Sequence, residues 1–551
     1  MVKIEGQSVQ KGIAIGNIFV WKKKEVSLKA TKISNPEEEL NAFYEAREKA
    51  IAELREMGEK AKGKVSDEDA EIFTVHQMLL QDLDFEDAVK DGILQEHLNA
   101  SFATYQAGES LAEIFAAMDD NAYMMERASD FRDIAARVIR KLQNIEDKLT
   151  LPETPVILVA DDLSPTETIG IDTSSVLAFV TAKGSMNSHT AILARSLGIT
   201  TLVNTGVELL DEYHGKLGIV DGLSGRFFID PEEDVLYHLQ TEKEQYEEEQ
   251  KALQELIGVE TITRSGRKIG LYANIGNVED AQRALRYDAE GIGLFRSEFL
   301  YLNRNDYPSE EEQFESYKQV AEMMEGKEVI IRTLDIGADK QADYFQIPKE
   351  ENPAMGLRAI RICLTRPEIF KVQLRALYRA SAFGKIGIMF PMITSVEEVD
   401  EILGIIEEVK KELLDKNIEI GDPDLGVMIE TPAAALISDL LAEKVDFFSI
   451  GTNDLTQYTL AMDRQNASLA RFQNIHHQAL LRLIEMTVRN AHAKNVRVGI
   501  CGELGADSDL TEYFISIGVD ELSVSAPRIL SLRKQIREFA QKLGERRISD
   551  G

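Results

Sequence analysis

At 551 residues the chain is too long for one hydrophobic core, and 44% hydrophobic with 28% charged residues describes a folded protein of three or four domains. A formal net charge of −33 repels nucleic acid and anionic lipid, so neither is an expected partner, and an anionic substrate needs a locally built cationic pocket. No apolar run approaches the roughly 18 residues of a membrane span, the opening MVKIEGQSVQKG lacks the apolar centre of a signal peptide, and only two cysteines, Cys363 and Cys501, occur, so a cytoplasmic protein without disulfides is expected.

A strand-like stretch runs from Gly12 to Trp21. NPEEELNAFYEAREKAIAELREM then reads as a helix capped at Asn35, with Pro36 in its first position and Glu38 closing a capping box. Its apolar face is Leu40, Phe43, Ala46, Ala50, Leu54 and Met57. Helical periodicity continues through EDAEIFTVHQMLLQDL and MERASDFRDIAARVIRKL with no strand signal between, which predicts a helical bundle over 33–146 inserted after the first strand. Between Asn35 and Lys148 stand 27 acidic and 13 basic residues, which suits a solvated helical face or a docking surface for a basic protein.

From Pro152 the runs VILVA, VLAFVT, KLGIVDG and RFFID describe a compact α/β module made of residues 1–32 and 147–230. This module contains GSMNSHTAILARSLGI, with His189 at a Gly/Ser-rich turn ahead of a helical pattern and Arg195 six positions later. Helix amides and an arginine both favour an anion, so His189 is placed to take and hold a phosphoryl group. On spacing alone that reading competes with an ordinary surface or core histidine. The run DPEEDVLYHLQTEKEQYEEEQKALQELIG then predicts a charged connector helix over 231–258.

Eight apolar runs follow, at 269–275, 291–296, 329–335, 386–392, 425–431, 447–452, 496–503 and 521–526, each succeeded by a helical stretch. Such alternation over 259–551 predicts a TIM (β/α)8 barrel, whose chemistry gathers at the C-terminal ends of its strands. Arg296, Arg332, Asp335, Glu430, Asn453, Asp454, Cys501 and Glu503 all fall at such ends, and Arg464 lies in the loop after the sixth run. Two carboxylates with an asparagine suit Mg²⁺, and several arginines suit a substrate carrying phosphate and carboxylate. Cys363 reads as core, and His476 and His477 as exposed loop residues.

The ordered motifs GIGLFRSEFL, IIRTLDIGADK, ENPAMGLRAIRI, GVMIETPAAA, FFSIGTNDLTQYTLAMDRQN and GICGE, with ERASDFRDI and GSMNSHTAILARSLGI upstream, resemble Enzyme I of the bacterial sugar phosphotransferase system. The likeness covers essentially the whole chain. It implies a phosphoenolpyruvate–protein phosphotransferase that moves the phosphoryl group to its own histidine and then to a histidine of the carrier HPr. Pyruvate is released, and the reaction is the first general step of sugar uptake. By position, the resemblance implies that His189 is phosphorylated and that Arg296, Arg332, Asn453, Asp454 and Arg464 bind phosphoenolpyruvate. It further implies that Glu430 and Asp454 ligate Mg²⁺, that Cys501 protonates the enolpyruvate carbon, and that Thr168, Arg195, Arg358 and Lys340 play supporting parts.

The same resemblance implies that the helical insertion docks HPr, that the barrel forms homodimers, and that the α/β module swings as a rigid body hinged at the connector helix. The residue types suit this chemistry. An unperturbed imidazole, pKa about 6.5, is mostly a neutral nucleophile near pH 7, and an ordinary thiol, pKa about 8.5, still carries its proton. The family's frequent GGRTSH is here GSMNSH, without the basic residue, and FQNIHHQALL stands where relatives often carry a proline. Pyruvate phosphate dikinase and phosphoenolpyruvate synthase need a further nucleotide-binding domain for which there is no room. A nitrogen-regulatory Enzyme I would carry an extra N-terminal sensory domain. The alternative, a phosphoenolpyruvate-sensing regulatory interaction protein without turnover, is disfavoured because every acid, base and metal position is filled.

Overall fold

The computed structural model of the chain describes residues 1–539 apart from 23–25, 27, 62–66, 117–121, 146–148, 150, 164–166, 168–170, 172, 187, 303, 338–341, 349, 464–465 and 473, and for some helical positions, His189 among them, the backbone alone. Two compact units divide it, Met1–Glu249 and Gln250–Gly551. Among the described residues, no helix is long and apolar enough to cross a membrane.

In the first unit, β1 (Val2–Glu5), β2 (Gln7–Gln10), β3 (Ile13–Val20), β4 (Val156–Ala160), β5 (Val176–Thr181), β6 (Thr200–Val203), β7 (Leu217–Asp221) and β8 (Arg226–Ile229) form one mixed sheet. Its order is β1-β8-β7-β3-β4-β5-β6-β2, with the β3–β6 stretch parallel. The sequence predicts a single opening strand where the structure has three. VKIE alternates for only four residues and QSVQ holds one apolar residue, signals too short to stand alone, and both become strands by pairing with β8 and β6, far along the chain. Gly12, at φ +145°, breaks the run between β2 and β3.

Among the described residues between β3 and β4 stand five helices, Pro36–Ala61, Asp67–Leu80, Leu83–Leu94, Ala100–Ala116 and Ala122–Leu142. Their shared core includes Phe43, Ala50, Leu54, Phe73, Phe85, Val89, Ile134 and Val138, all buried, while Leu40 and Met57 pack at its edge. At the first helix start, Asn35 Nδ2 donates to Glu38 Oε2 at 3.2 Å. The polar connector runs Glu233–Gln254, shorter at both ends than its predicted 231–258. Asp230 sits at φ +53°, the Glu232 carbonyl accepts the first helical bond from Leu236, and the chain leaves through Gly258 at φ +78°.

The second unit is a closed, all-parallel barrel in the order β10-β11-β12-β13-β14-β15-β16-β9. Its strands are β9 (Gly270–Ile275), β10 (Ile292–Arg296), β11 (Val329–Arg332), β12 (Ile386–Phe390), β13 (Asp424–Ile429), β14 (Phe447–Ile450), β15 (Arg497–Ile500) and β16 (Glu521–Ser525). Inside, Leu294, Ile330, Met389, Met428, Phe447 and Cys501 form one buried cluster, so the interior is packed rather than open. Several strands are shorter than their sequence runs, because residues such as Asp335, Glu430 and Cys501 leave the ladder to face the C-terminal end.

The opposite end is closed by ion pairs. Glu328 takes both Arg497 and Lys385 (3.4 Å) and accepts a bond from Tyr272 Oη (3.2 Å). Glu521 lies beside this network, and burial pushes its carboxyl up to about 8, with Arg497 opposing and Glu328 adding to the rise. The unfolded chain therefore sheds this proton at about 4.5 while the folded chain keeps it, so stability falls as pH rises from about 4.5 to 8, by at most about 1.4 kcal/mol per unit. Glu521→Gln should be more stable than the parent at pH 8, with a gap that shrinks towards pH 5. Thermal midpoints across that range measure it, and a pH-independent gap contradicts the placement.

Candidate active site

Arg332 ends β11 and is 6% exposed. Its guanidinium contacts Glu298 and lies 3.0 Å from Asp335 Oδ2. Asp335 in turn takes Arg358 Nη2 at 2.9 Å, and the same nitrogen stands 3.7 Å from Asp454 Oδ2. Burial alone would lower both guanidinium pKa values, but the adjoining carboxylates, Glu298 and Asp335 for Arg332 and Asp335 and Asp454 for Arg358, hold them above the ordinary arginine range. Neither Arg332 nor Arg358 has a hydrogen-bond partner for its buried Nε among the described residues. Two charged donors are thus left for something further.

Glu430 follows β13 directly and is 1% exposed, with Oε1 accepting the Met392 amide at 2.6 Å. Burial, then Asp454 and Asp335, push its carboxyl up, against the pull of Arg332 and Arg358. Met392 (φ +60°) and Ala359 (φ +51°), both non-glycine residues in the left-handed region, flank these groups, and such strain is held only where surrounding structure fixes it. Two glycines permit the approach. A Cβ on Gly337 (φ +117°) would stand 2.5 Å from Arg358 Cβ, and one on Gly451 would stand 3.0 Å from Glu430 Cβ.

Asn453 and Asp454 open the helix Thr452–Leu460 after β14. Asp454 is buried, whereas Asn453 turns towards the seventh strand end, its Oδ1 accepting the Glu503 amide at 3.1 Å. Cys501, 3% exposed, follows β15, and Asn274 of β9 donates to its carbonyl at 2.9 Å. Burial pushes the Cys501 thiol up to about 11, with Arg332 and Arg296 pulling the other way. Arg296 itself ends β10 exposed at the rim and makes no ion pair among the described residues. Residues at five strand ends, those of β10, β11, β13, β14 and β15, therefore face one another electrostatically across a single barrel mouth.

Thr168, Lys340 and Arg464 lie outside the described residues. Glu298 and Tyr458 were not singled out by spacing: Glu298 sits just past β10 inside the quoted GIGLFRSEFL, and Tyr458 Oη accepts from Arg358 at 3.1 Å. His476 and His477, expected as idle loop residues, have structural partners. His476 pairs with Asp507 at 2.7 Å, and His477 caps the helix Gln478–His492 by accepting from Ala479.

In the first unit, the helix His189–Leu197 follows β5 in the chain and ends at Gly198 in the left-handed conformation. Ser188 is the N-cap, accepting from Ala191, so His189 occupies the first helical position, beside the unpaired amides of the first turn. Thr190, Ala191 and Ala194 are buried and fix this helix to the sheet. Exposed Arg195 reaches back so that Nη1 donates to Met186 O at 2.8 Å, closing the loop on itself.

Residues 249–541 match the family described as PEP-utilising enzyme, PEP-binding domain. Residues 5–127 match PEP-utilising enzyme, N-terminal, and residues 152–225 match PEP-utilising enzyme, mobile domain. A phosphoenolpyruvate-protein phosphotransferase of Priestia megaterium is 40% identical over 541 residues, covering 98% of this chain and 94% of the relative. That of Bacillus subtilis (strain 168) is 39% identical over 547 residues, covering 99% and 96%. The chain belongs to the phosphoenolpyruvate-protein phosphotransferase family.

As a phosphoenolpyruvate-protein phosphotransferase it is an enzyme of phosphoenolpyruvate-dependent phosphotransfer, the Enzyme I of a phosphotransferase system. A buried, protonated thiol at the barrel mouth of such an enzyme has a direct chemical signature. Iodoacetamide should modify Cys501 of the native protein at a rate climbing about tenfold per pH unit from pH 7 to 10, since only the thiolate reacts. Peptide mapping against pH reads this, and a plateau below pH 9 contradicts the burial.

Proposed function

We propose that phosphoenolpyruvate binds at the C-terminal mouth of the barrel, its phosphate and carboxylate held by Arg296, Arg332, Arg464 and Asn453, and that His189 takes the phosphoryl group. The single observation that carries this is the convergence of Arg332, Arg358, Glu430, Asp454 and Cys501 at one barrel mouth, with buried guanidinium donors still unused. The imidazole attacks phosphorus, an N–P bond forms, and the P–O bond to enolpyruvate breaks. Arginines serve this step by positioning the group and offsetting its charge. The thiol of Cys501 then gives its proton to C3, yielding pyruvate, and the thiolate is reprotonated from water. Arg195, Thr168, Lys340 and Arg358 act as supporting residues.

Four buried carboxyl groups, Glu298, Asp335, Glu430 and Asp454, face two buried guanidiniums, those of Arg332 and Arg358, and the crowding of acids that raises the Glu430 carboxyl favours either a proton or a divalent cation there. Glu430 and Asp454 would hold Mg²⁺, which when bound supplies further charge neutralisation to the phosphate. Phosphohistidine then passes its group to a histidine of HPr. The docking surface we assign to the helical segment 33–146, where exposed Met78 (63%) and Leu83 (71%) stand among Asp82, Asp84, Glu86 and Asp87, a surface suited to a basic partner. Residues 1–32 and 147–230 carry His189, 231–258 form the hinge, and 259–551 bind phosphoenolpyruvate. The match of 152–225 to a mobile domain supports a swing of the histidine between substrate and carrier. Exposed Met355, Leu436, Leu440, Phe472 and Ile475 on the barrel unit offer the apolar area that a homodimer would cover.

Incubation with phosphoenolpyruvate labelled in its phosphate, with magnesium chloride and no nucleotide, tests this reading. One acid-labile, base-stable label per chain is expected. A requirement for nucleotide, or an acid-stable label, contradicts it.

A further inference from the structure

A cavity of the barrel unit lies at the N-terminal end, away from every group assigned to phosphotransfer. It measures about 470 Å³, within the size of small-molecule sites. One wall is apolar, formed by Leu403 and Ile406 of the helix Val396–Asp415 and by Leu425 of β13. The rest is acidic, with Glu407, Asp422, Asp424 and Asp446 around it.

These carboxylates are only partly satisfied. Asp424 meets Arg497 at 3.1 Å, a guanidinium already engaged by Glu328, and Asp446 accepts the Leu425 amide at 2.9 Å. Glu407 lies 3.3 Å from Lys410, and Asp422 makes no ion pair among the described residues. A second observation is independent of the acids. Tyr378 of the helix Pro367–Ala380 is 2% exposed and lines the cavity, yet its hydroxyl has no hydrogen-bond partner among the described residues. Burial and then Asp422, Glu407 and Asp446 raise its pKa, so the phenol keeps its proton and faces those three carboxylates. The ring is buried and the hydroxyl opens only onto the acidic cavity, so a ligand there meets a donor that no protein group among the described residues shares.

We propose that this cavity binds a linear aliphatic diamine or polyamine. One ammonium sits between Asp422 and Asp446, the methylene chain lies along Leu403, Ile406 and Leu425, and the Tyr378 hydroxyl completes the polar contacts. A compact metal ion fits less well. Among the described residues no group of three or more His, Cys, Asp or Glu side chains is placed to hold one, and the apolar wall offers no oxygens. Ammonium groups spaced along an apolar chain match a cavity that is anionic on one side and aliphatic on the other.

Calorimetric titration of the full chain with spermidine at low ionic strength tests the site. Saturable one-site binding is expected, weakened about tenfold in Asp422→Asn and in Tyr378→Phe. Both variants should release pyruvate from phosphoenolpyruvate at the parent rate, which reports that they are folded. The pair Glu248→Gln with Glu249→Gln, on the exposed connector helix, should bind spermidine as the parent does. Absence of saturable binding, equal weakening in the connector pair, or full displacement by equimolar magnesium chloride overturns the proposal.

Discussion

His189→Ala should take no label from phosphoenolpyruvate and release no pyruvate, while still binding phosphoenolpyruvate within about twofold of the parent affinity, a difference well below 1 kcal/mol. The split follows from the two-unit division: the histidine belongs to Met1–Glu249, and the charges proposed to hold the substrate belong to Gln250–Gly551. On the proposed reading, the substitution takes away the bond-forming atom but none of Arg296, Arg332, Glu430 or Asp454. Because His189 begins a helix capped by Ser188 and anchored by Ala191 and Ala194, alanine at that position is compatible with the helix. Equilibrium binding beside single-turnover labelling measures both halves. Residual label in the variant would place the phosphoryl acceptor elsewhere.

Arg332→Met should damage both fold and chemistry. The guanidinium is the shared partner of buried Glu298 and Asp335, and deleting one member of such a network strands the others, at about 3–5 kcal/mol. If Arg332 holds the substrate as proposed, the same change should lower kcat/KM by about a hundred- to a thousandfold. Arg332→Lys separates the two effects. It keeps the charge beside Glu298 and Asp335 and should recover most of the stability, but it lacks the fork that holds two acceptors at once, so activity should stay low. Thermal unfolding and steady-state kinetics on both variants read this, and a Met variant of parental stability contradicts the ion-pair geometry.

The barrel was legible because a strand buried on both faces must be apolar nearly throughout, and runs as short as FFSI or VIIR, repeated eight times between helical stretches, fit strands better than helices. Strand ends placed Arg332, Glu430 and Cys501 together for the same reason, since the fold turns sequence position into position along one axis. What escaped was pairing between distant, locally unremarkable residues. Asn274 supports Cys501 across 227 positions, and VKIE and QSVQ become strands only through β8 and β6. Glu298 looks like any surface acid in sequence, and only its burial against Arg332 marks it. The shift of the connector start from Pro231 to Glu233 reflects the backbone of Asp230, which composition does not report.

The central claim is that one histidine is loaded at the barrel and discharged onto a separate carrier. Pyruvate release from phosphoenolpyruvate, followed with the full chain alone and then with a catalytic amount of HPr together with a downstream acceptor, tests this most directly. The chain alone should give a single burst of about one pyruvate per histidine, and HPr should turn that burst into sustained release. Sustained release without HPr, or a burst that HPr leaves unchanged, would contradict the claim.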